Sequence, residues 1–199
     1  MVLVRKAEIK RKTKETDIKL SLDLDNYHEG PIRTGSAFLD HMLDLLRKHS
    51  GIGLSVECKG DTDIDMHHSA EDIGICFGEA LLKACGDKQG IERYGFYYVT
   101  MDEALARCCL DVGGRIAFVC NAALPMARIG NLDTELVPHF FRSVAENAKL
   151  NLHIDLLRGA NTHHCIEAMF KAFARALAMA ISPSTRVRGV PSTKGTLDK

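Results

Sequence analysis

The sequence has no C-x-x-C pair, no apolar run long enough to cross a membrane and no excess of charge of either sign. A membrane helix needs roughly 18 to 20 consecutive apolar residues, and no segment approaches that length. The N-terminal residues lack the apolar centre of a signal peptide. Seven cysteines without paired spacing are typical of reduced core thiols, so we predict a cytoplasmic protein with no membrane partner.

The charged residues balance, with 26 lysines and arginines against 26 aspartates and glutamates. This balance argues against the global basic field that drives nonspecific nucleic-acid binding, so we expect no nucleic-acid partner. Any anionic ligand must then be held by local charge. The 199 residues are 46% hydrophobic, which is enough to form a sizeable core in one large domain or two small ones.

An unusual histidine cluster occurs twice in the chain. The segments HHSAED and HHCIEA each place a glutamate three residues after the second of two adjacent histidines, and they begin at His67 and His163. The same offset matches apolar residues of the following helices, namely Phe77 with Phe173, Ala80 with Ala176 and Leu81 with Leu177. We therefore predict that the chain is an internal duplication.

The hydrophobic pattern predicts the same order of elements in both halves. Strand-like segments come first, AEIKRKT and DIKLSLDLD in one half and GFYYVTM, ARCCLDV and RIAFVCN in the other, while YHEGPIRTG is interpreted as a loop. Helical segments with His41 and His139 follow, then the alternating strands GIGLSVECK and NLHIDLLR, then the histidine-pair helices. The prediction is an α+β protein whose half-domains each contain three strands, a helix, a strand and a helix, with helices on one face of the sheet.

We place the boundary between the half-repeats at residue 92. The first half-repeat, 1–92, contains His41 and the first histidine pair, and the second, 93–185, contains His139 and the second pair. Residues 186–199 form a C-terminal tail whose proline, glycine and hydroxyl side chains show no core-forming periodicity. The three segments are predicted to form one functional unit.

The spacing within each histidine cluster favours metal binding. Residues four apart on a helix lie about 40° apart around the axis, whereas adjacent residues lie about 100° apart. His67 and Glu71 can therefore bind one ion while His68 faces another, and the second cluster repeats this arrangement. With His41 and His139 there are enough ligands for two sites of three imidazoles and one carboxylate, which suit Mn, Fe, Co, Ni or Zn. No role is assigned to His28, His49, His153 or Cys165.

Several long motifs resemble one enzyme family. FLDHML, HHSAEDIG, RYGFYYVTMDEALA, LDVGGR, HFFRS, NTHHCIEAMFKAFARAL and STKGTL are similar to the imidazoleglycerol-phosphate dehydratases in their monofunctional form. The resemblance implies a metal-dependent hydro-lyase that converts D-erythro-imidazole glycerol phosphate to imidazole acetol phosphate and water in L-histidine biosynthesis. It also implies a left-handed βαβ fold of the ribosomal-protein type, two Mn(II) ions per active site, and a homo-oligomeric 24-subunit cage with sites at subunit interfaces.

The same resemblance assigns roles residue by residue. One metal ion is expected to bind His41, His68, His163 and Glu167, and the other His67, Glu71, His139 and His164. The expected catalytic carboxylates are Glu15, Glu71 and Glu167. The residues expected to bind the phosphate are Arg93, Arg115, Lys171, Ser192, Thr193 and Lys194. Their cationic groups and hydroxyls suit a phosphate monoester. The remaining substrate contacts are Glu15, His41, His67, His68, Glu71, His163, His164 and Glu167.

Two other functions agree with a pair of metal sites. A binuclear metallohydrolase would use both ions to activate water against a phosphoester. A non-catalytic metal-stapled shell or storage protein would use them only to hold subunits together. The STKGTL segment with Arg93 and Arg115 favours a phosphorylated small ligand over a simple staple.

Overall fold

The computed structural model describes residues 5–125 and 127–197. The first half contains β1 (Lys6–Lys12), β2 (Thr16–Asp23), β3 (Glu29–Arg33), α1 (Ala37–Ser50), β4 (Gly53–Gly60) and α2 (His67–Cys85). The second half contains β5 (Tyr94–Met101), β6 (Ala104–Asp111), β7 (Ala117–Asn121), β8 (Arg128–Ile129), β9 (Leu132–Asp133), α3 (Leu136–Ala148), β10 (Asn151–Arg158) and α4 (Thr162–Ile181). No helix in these ranges is both long enough and apolar enough to cross a bilayer.

The two halves have the same sheet topology. Their strand orders are β1-β2-β4-β3 and β5-β6-β10-β7, and the small hairpin β8–β9 is added in the second half only. In each sheet the strand before the helix runs parallel to the strand after it, as β3 does to β4 and β7 does to β10, while the other pairs are antiparallel. The predicted duplication and the α+β class are confirmed.

Each sheet buries one face against helices, as predicted. In β2, Ile18, Leu20 and Leu22 are buried, whereas the alternate residues Asp17 and Lys19 are exposed, because successive side chains of a strand point to opposite faces. The helix residues matched by the repeat are also buried, namely Phe77 with Phe173, Ala80 with Ala176 and Leu81 with Leu177.

The helices pack in pairs that join the two halves. α1 packs against α4, and α2 packs against α3. Within the second half, α3 also contacts α4, because the rings of Phe140 and Phe141 lie 5.5 and 4.7 Å from that of Phe170 between centroids. The half-repeats therefore share one core. The predicted boundary at residue 92 falls between α2 and β5.

The interpretation of YHEGPIRTG as a loop was wrong for Glu29–Arg33, which forms β3. This strand lies at the edge of the first sheet, where it pairs only with β4. Proline has no N–H to donate, and an edge strand tolerates it because one side needs no partner. Pro31 thus concealed a strand that the duplication, with its three strands before the helix in each half, requires.

The prediction of core thiols was wrong for Cys109. All seven cysteines are described and free, and Cys76, Cys85, Cys108 and Cys165 are buried. Cys109 is exposed because it follows Cys108 on β6, where neighbouring side chains point to opposite faces of the sheet. Burial raises the pKa of the Cys76 thiol to about 12, which agrees with an unreactive structural role.

The duplicated helix ends give a stability prediction. α1 is followed by the capping residue Gly51 (φ 74°) and α3 by the equivalent Lys149 (φ 53°), and both residues have left-handed backbones. A side chain in this conformation costs about 1 to 2 kcal/mol. Nothing lies within 4 Å of a methyl group at Gly51. We expect Gly51→Ala to lower the free energy of unfolding by about 1 kcal/mol and Lys149→Gly to raise it similarly. Urea titration at equal protein concentration is the measurement, and shifts of the same sign would contradict the assignment.

Candidate metal centre and phosphate cleft

The pairing of α1 with α4 brings together three potential metal ligands. His41 lies in the second turn of α1, and His163 and Glu167 lie one turn apart at the start of α4. The Glu167 carboxylate is 3.2 Å from Nε2 of His163 and 3.5 Å from Nε2 of His41. One donor atom from each residue lies within 4.8 Å of the other two. Two imidazoles and a carboxylate converging in this way are donors of the type that divalent transition metals prefer.

The pairing of α2 with α3 repeats the arrangement less tightly. The rings of His67 and His139 lie 5.2 Å apart between centroids, close to the 5.5 Å between His41 and His163. Glu71, one turn beyond His67, is exposed. Over residues 5–125 and 127–197, the only group of three converging ligands is the one on α1 and α4.

The second histidine of each pair does not join either cluster. His68 Nδ1 lies 2.9 Å from Oδ2 of Asp61, and His164 Nδ1 lies 2.7 Å from Oε2 of Glu103. These carboxylates raise the pKa values of both imidazoles. In return, the hydrogen bond from His164, together with the backbone N–H donors that the carboxylate accepts, lowers the pKa of Glu103 to about 2.

The outer nitrogens of these two histidines face carboxylates at hairpin tips. His68 Nε2 lies 3.7 Å from Glu15, which is in the β1–β2 turn. His164 Nε2 lies 3.7 Å from Asp102, which is in the β5–β6 turn. Glu15 is thus placed beside a predicted ligand, with half of its side chain exposed to solvent. Asp102 occupies the matching position of the second half.

Lys171 lies beside Glu167 rather than in a phosphate pocket. Its Nζ is 2.5 Å from Oε1 of Glu167, and its side chain is 17% exposed. Burial opposes ionisation of Glu167, but the hydrogen bond and charge of Lys171 outweigh it, so the pKa of Glu167 lies below its usual value. The structure therefore keeps this predicted metal ligand anionic and separates Lys171 from the other predicted phosphate contacts within one chain.

The other predicted phosphate contacts surround one surface cleft. The cleft has a volume of about 750 Å³. Its lining combines cationic side chains with the hydroxyls and backbone of the tail, and the predicted members are Arg93, Arg115, Ser192, Thr193 and Lys194. Arg115 and Lys194 are exposed, so their charges can reach a ligand. A phosphate monoester is the kind of anion that such a set binds.

Arg93 links the tail that lines the cleft to strand β6. Its Nε and Nη2 atoms donate to the two oxygens of Asp111 at 2.7 and 2.9 Å, and Nη1 donates to the carbonyl oxygen of Pro191 at 2.8 Å. The Asp111 carboxylate raises the pKa of Arg93 further. A guanidinium has five N–H donors, so this arrangement leaves donors free for a ligand while the tail is held in place.

The end of the tail packs against a glycine. Leu197 is buried, and its carbonyl oxygen lies where a side chain at Gly114 would begin, 1.8 Å from the ideal Cβ position. Gly114 also has a left-handed backbone, with φ 79°. Only glycine accommodates both the conformation and the close approach. The tail residues 192–197 are therefore positioned at the cleft, even though they lack core-forming periodicity.

The sequence-based interpretation missed three carboxylates. Asp61 and Glu103 bond the histidines His68 and His164, and Asp111 bonds Arg93. Glu103 is 61 positions from its histidine, so no helical or strand spacing links the two residues. The only signals were the positions of Glu103 inside the motif RYGFYYVTMDEALA and of Asp111 inside LDVGGR.

Comparisons with known proteins agree with this arrangement. A family model described as imidazoleglycerol-phosphate dehydratase matches residues 34–177. The imidazoleglycerol-phosphate dehydratase of Bacillus subtilis (strain 168) is 52% identical over 194 residues, covering 98% of this chain and 100% of that protein. The corresponding protein of Rhodopirellula baltica is 52% identical over 193 residues, covering 97% and 96%.

Two solved structures have the same fold. The imidazoleglycerol-phosphate dehydratase of Staphylococcus aureus subsp. aureus N315 superposes with a TM-score of 0.82 at 45% identity, covering 90% of this chain and 99% of that one. The Pyrococcus furiosus protein, solved in complex with (S)-C348, gives a TM-score of 0.82 at 33% identity, with coverages of 95% and 100%. The family model, the identities and the superpositions together show that the chain belongs to the imidazoleglycerol-phosphate dehydratase family.

Proposed function

We propose that the chain is a metal-dependent hydro-lyase of L-histidine biosynthesis. It converts D-erythro-imidazole glycerol phosphate to imidazole acetol phosphate and water. Family membership supports the dehydration, and the observation that supports metal dependence is the convergence of His41, His163 and Glu167. Seven free thiols suit a reducing compartment, so a cytoplasmic location remains our prediction.

The donor set suits two Mn(II) ions per active site. His41, His163 and Glu167 would hold the first ion with His68, and His67, Glu71 and His139 would hold the second with His164. Imidazole and carboxylate ligands without thiolate match manganese and its neighbours in the first transition row. When bound there, such ions would supply Lewis acidity, which would lower the pKa of a coordinated imidazole.

The cleft supports binding of the substrate's phosphate. Arg115 and Lys194 supply exposed positive charge, and Ser192 and Thr193 supply hydroxyl groups. The phosphate lies at one end of the substrate and the ring at the other. Anchoring both ends fixes the three-carbon chain between them, and such positioning can lower the barrier substantially.

Glu15 is the side chain best placed to move a proton. The turn Thr13–Thr16 holds it at the tip of the first hairpin, where the Thr13 hydroxyl accepts the backbone N–H of Glu15 at 3.1 Å. Its carboxylate lies beside His68 and remains open to solvent. A carboxylate next to bound substrate can accept or return a proton during loss of water. Glu71 and Glu167 contribute as predicted metal ligands.

The active site is proposed to form between subunits. Three ligands of the first metal site converge within one chain, and in the described residues His68 stands outside that group. We propose that a second copy supplies the missing imidazole and that Lys171 contacts a phosphate held by a neighbouring chain. A closed homo-oligomer meets this need, and we propose the 24-subunit cage implied by the family resemblance.

The direct test is turnover of imidazole glycerol phosphate by purified protein, with and without manganese. We expect dehydration that is lost after chelation and restored by Mn(II). Light scattering on the same samples should show large particles with the metal and smaller ones without it, because metal binding between subunits contributes to assembly. Metal binding without turnover would favour a storage shell, and phosphoester hydrolysis would favour a metallohydrolase.

A further inference from the structure

The two histidines outside the ligand clusters are each bonded to a carboxylate through Nδ1. His68 is bonded to Asp61 at 2.9 Å and His164 to Glu103 at 2.7 Å. The carboxylates come from different places in the repeat, since Asp61 follows β4 and Glu103 lies in the β5–β6 turn. The same contact has therefore been built in both halves from unrelated positions.

This contact fixes which ring nitrogen bears the proton. An ionised carboxylate can only accept hydrogen bonds, so Nδ1 of each neutral imidazole must donate. The lone pair is then left on Nε2, whose nearest carboxylates, Glu15 and Asp102, lie 3.7 Å away and are beyond hydrogen-bond distance. A metal-binding histidine requires a free lone pair, and a hydrogen bond at its other nitrogen commonly sets the tautomer and the ring orientation.

We propose that Asp61 and Glu103 are positioning residues that hold His68 and His164 as Nδ1–H tautomers, with Nε2 presented to a metal ion shared with another subunit. This rests on the proposed function, because it concerns the same metal centre. Neither carboxylate is itself a ligand or a catalytic group. Each carboxylate fixes the orientation of its imidazole before metal or substrate binds.

Glu103 is anchored more firmly than Asp61. Its Oε1 accepts the backbone N–H groups of Ala160 and Asn161 at 3.1 and 2.7 Å, just before α4, while Oε2 faces His164. Oε1 of Glu103 is therefore held by the two backbone donors, and Oε2 accepts the hydrogen bond from His164. In contrast, Oδ1 of Asp61 is buried and has no hydrogen-bond partner among the described residues.

Because Glu103 and Asp61 are anchored differently, we expect Glu103→Gln and Asp61→Asn to have different effects on the tautomer of the bonded histidine. In Glu103→Gln, the amide oxygen must face the two backbone donors, so the NH2 group faces His164 and forces Nδ1 to accept. The proton then moves to Nε2 and blocks the metal-binding lone pair. In Asp61→Asn, the amide can turn to keep its oxygen toward His68, so the original tautomer is retained.

The test measures tautomers in the metal-free full chain by NMR of 15N-labelled histidine, and Mn(II) binding by calorimetry. At a pH high enough to make both imidazoles neutral, we expect Nδ1–H at His68 and His164 in the wild type and a switch to Nε2–H at His164 in Glu103→Gln. Binding at one metal site should be about 10- to 100-fold weaker in Glu103→Gln. Asp61→Asn should keep the wild-type tautomer. Asp63→Asn, an exposed carboxylate of the same turn, is the matched control.

An Nε2–H tautomer in the wild type, or an unchanged His164 in Glu103→Gln, would overturn the proposal. The melting temperature of Glu103→Gln should match the wild type, because the acceptor for the two backbone donors remains. If that variant fails to fold, the wild-type tautomers decide the question. A wild type that binds no manganese or lacks turnover would count against the proposed function, whereas the tautomers of the metal-free chain judge the positioning separately.

Discussion

Two inactive variants, His163→Ala and His68→Ala, are expected to restore activity when their subunits are mixed. Each variant alone should lose on the order of a thousandfold in turnover, because a catalytic metal supplies several kcal/mol of stabilisation to the transition state. In the proposed site, one chain provides His41, His163 and Glu167, and another provides His68. In a mixed oligomer, some sites then take the three-ligand cluster from a chain that has His163 and the fourth ligand from a chain that has His68.

The expected recovery can be stated in advance. After dissociation by chelator, mixing in equal amounts and reassembly with Mn(II), roughly a quarter of the sites should combine an intact three-ligand cluster with an intact His68, if subunits assemble at random. Steady-state turnover of the mixture is the measurement. If His68 came from the same chain as His163, every mixed site would lack a ligand and the mixture would stay inactive.

A matched pair of variants controls for this result. His163→Ala and His41→Ala both damage the cluster on α1 and α4, whose ligand atoms lie together within one chain. No mixture of these two can rebuild it, so no recovery is expected. Recovery of turnover in this control would come from a refolding artefact, and recovery in the first mixture would then not be evidence of sites shared between subunits.

The second large effect is expected at Lys194, on the tail beside the cleft. Lys194→Ala should raise KM about tenfold to more than a hundredfold, because a hydrogen bond to a charged group contributes about 1.5 to 3 kcal/mol. Metal content and particle size should remain those of the wild type, since no predicted metal ligand is touched. If phosphate binding also orients the reacting carbons, kcat will fall as well.

Arg188→Ala is the control for the tail. It removes one positive charge from an exposed position of the same segment, but Arg188 is not among the residues that line the cleft. Its KM should stay close to the wild-type value. A wild-type kcat/KM for Lys194→Ala, or an equal loss in both variants, would refute a specific phosphate contact at Lys194.

The sequence by itself determined the repeat and the chemistry that the repeat carries. Periodicity identified the core faces of β4, β10 and the helices because burial imposes a period of two on strands and a helical period on helices. It also placed His163 and Glu167 on one face of α4, and the structure brings them to 3.2 Å. These results depend on residues that are near each other along the chain. The long motifs identified the family because they are specific strings of residues.

Spacing and periodicity could not show which distant side chains meet: the family resemblance grouped His41 with His163 and Glu167, and the tertiary structure supplied the contact. The packing of α1 on α4 and of α2 on α3 joins ligands from opposite halves, and nothing in the spacing of His41 and His163 indicates it. The same is true of Glu103 with His164, and of Arg93 with Asp111 and the tail. Such contacts arise from packing of one shared core, in which the free energy depends on surfaces brought together from remote segments. Local sequence patterns report which face is apolar, but not which partner covers it.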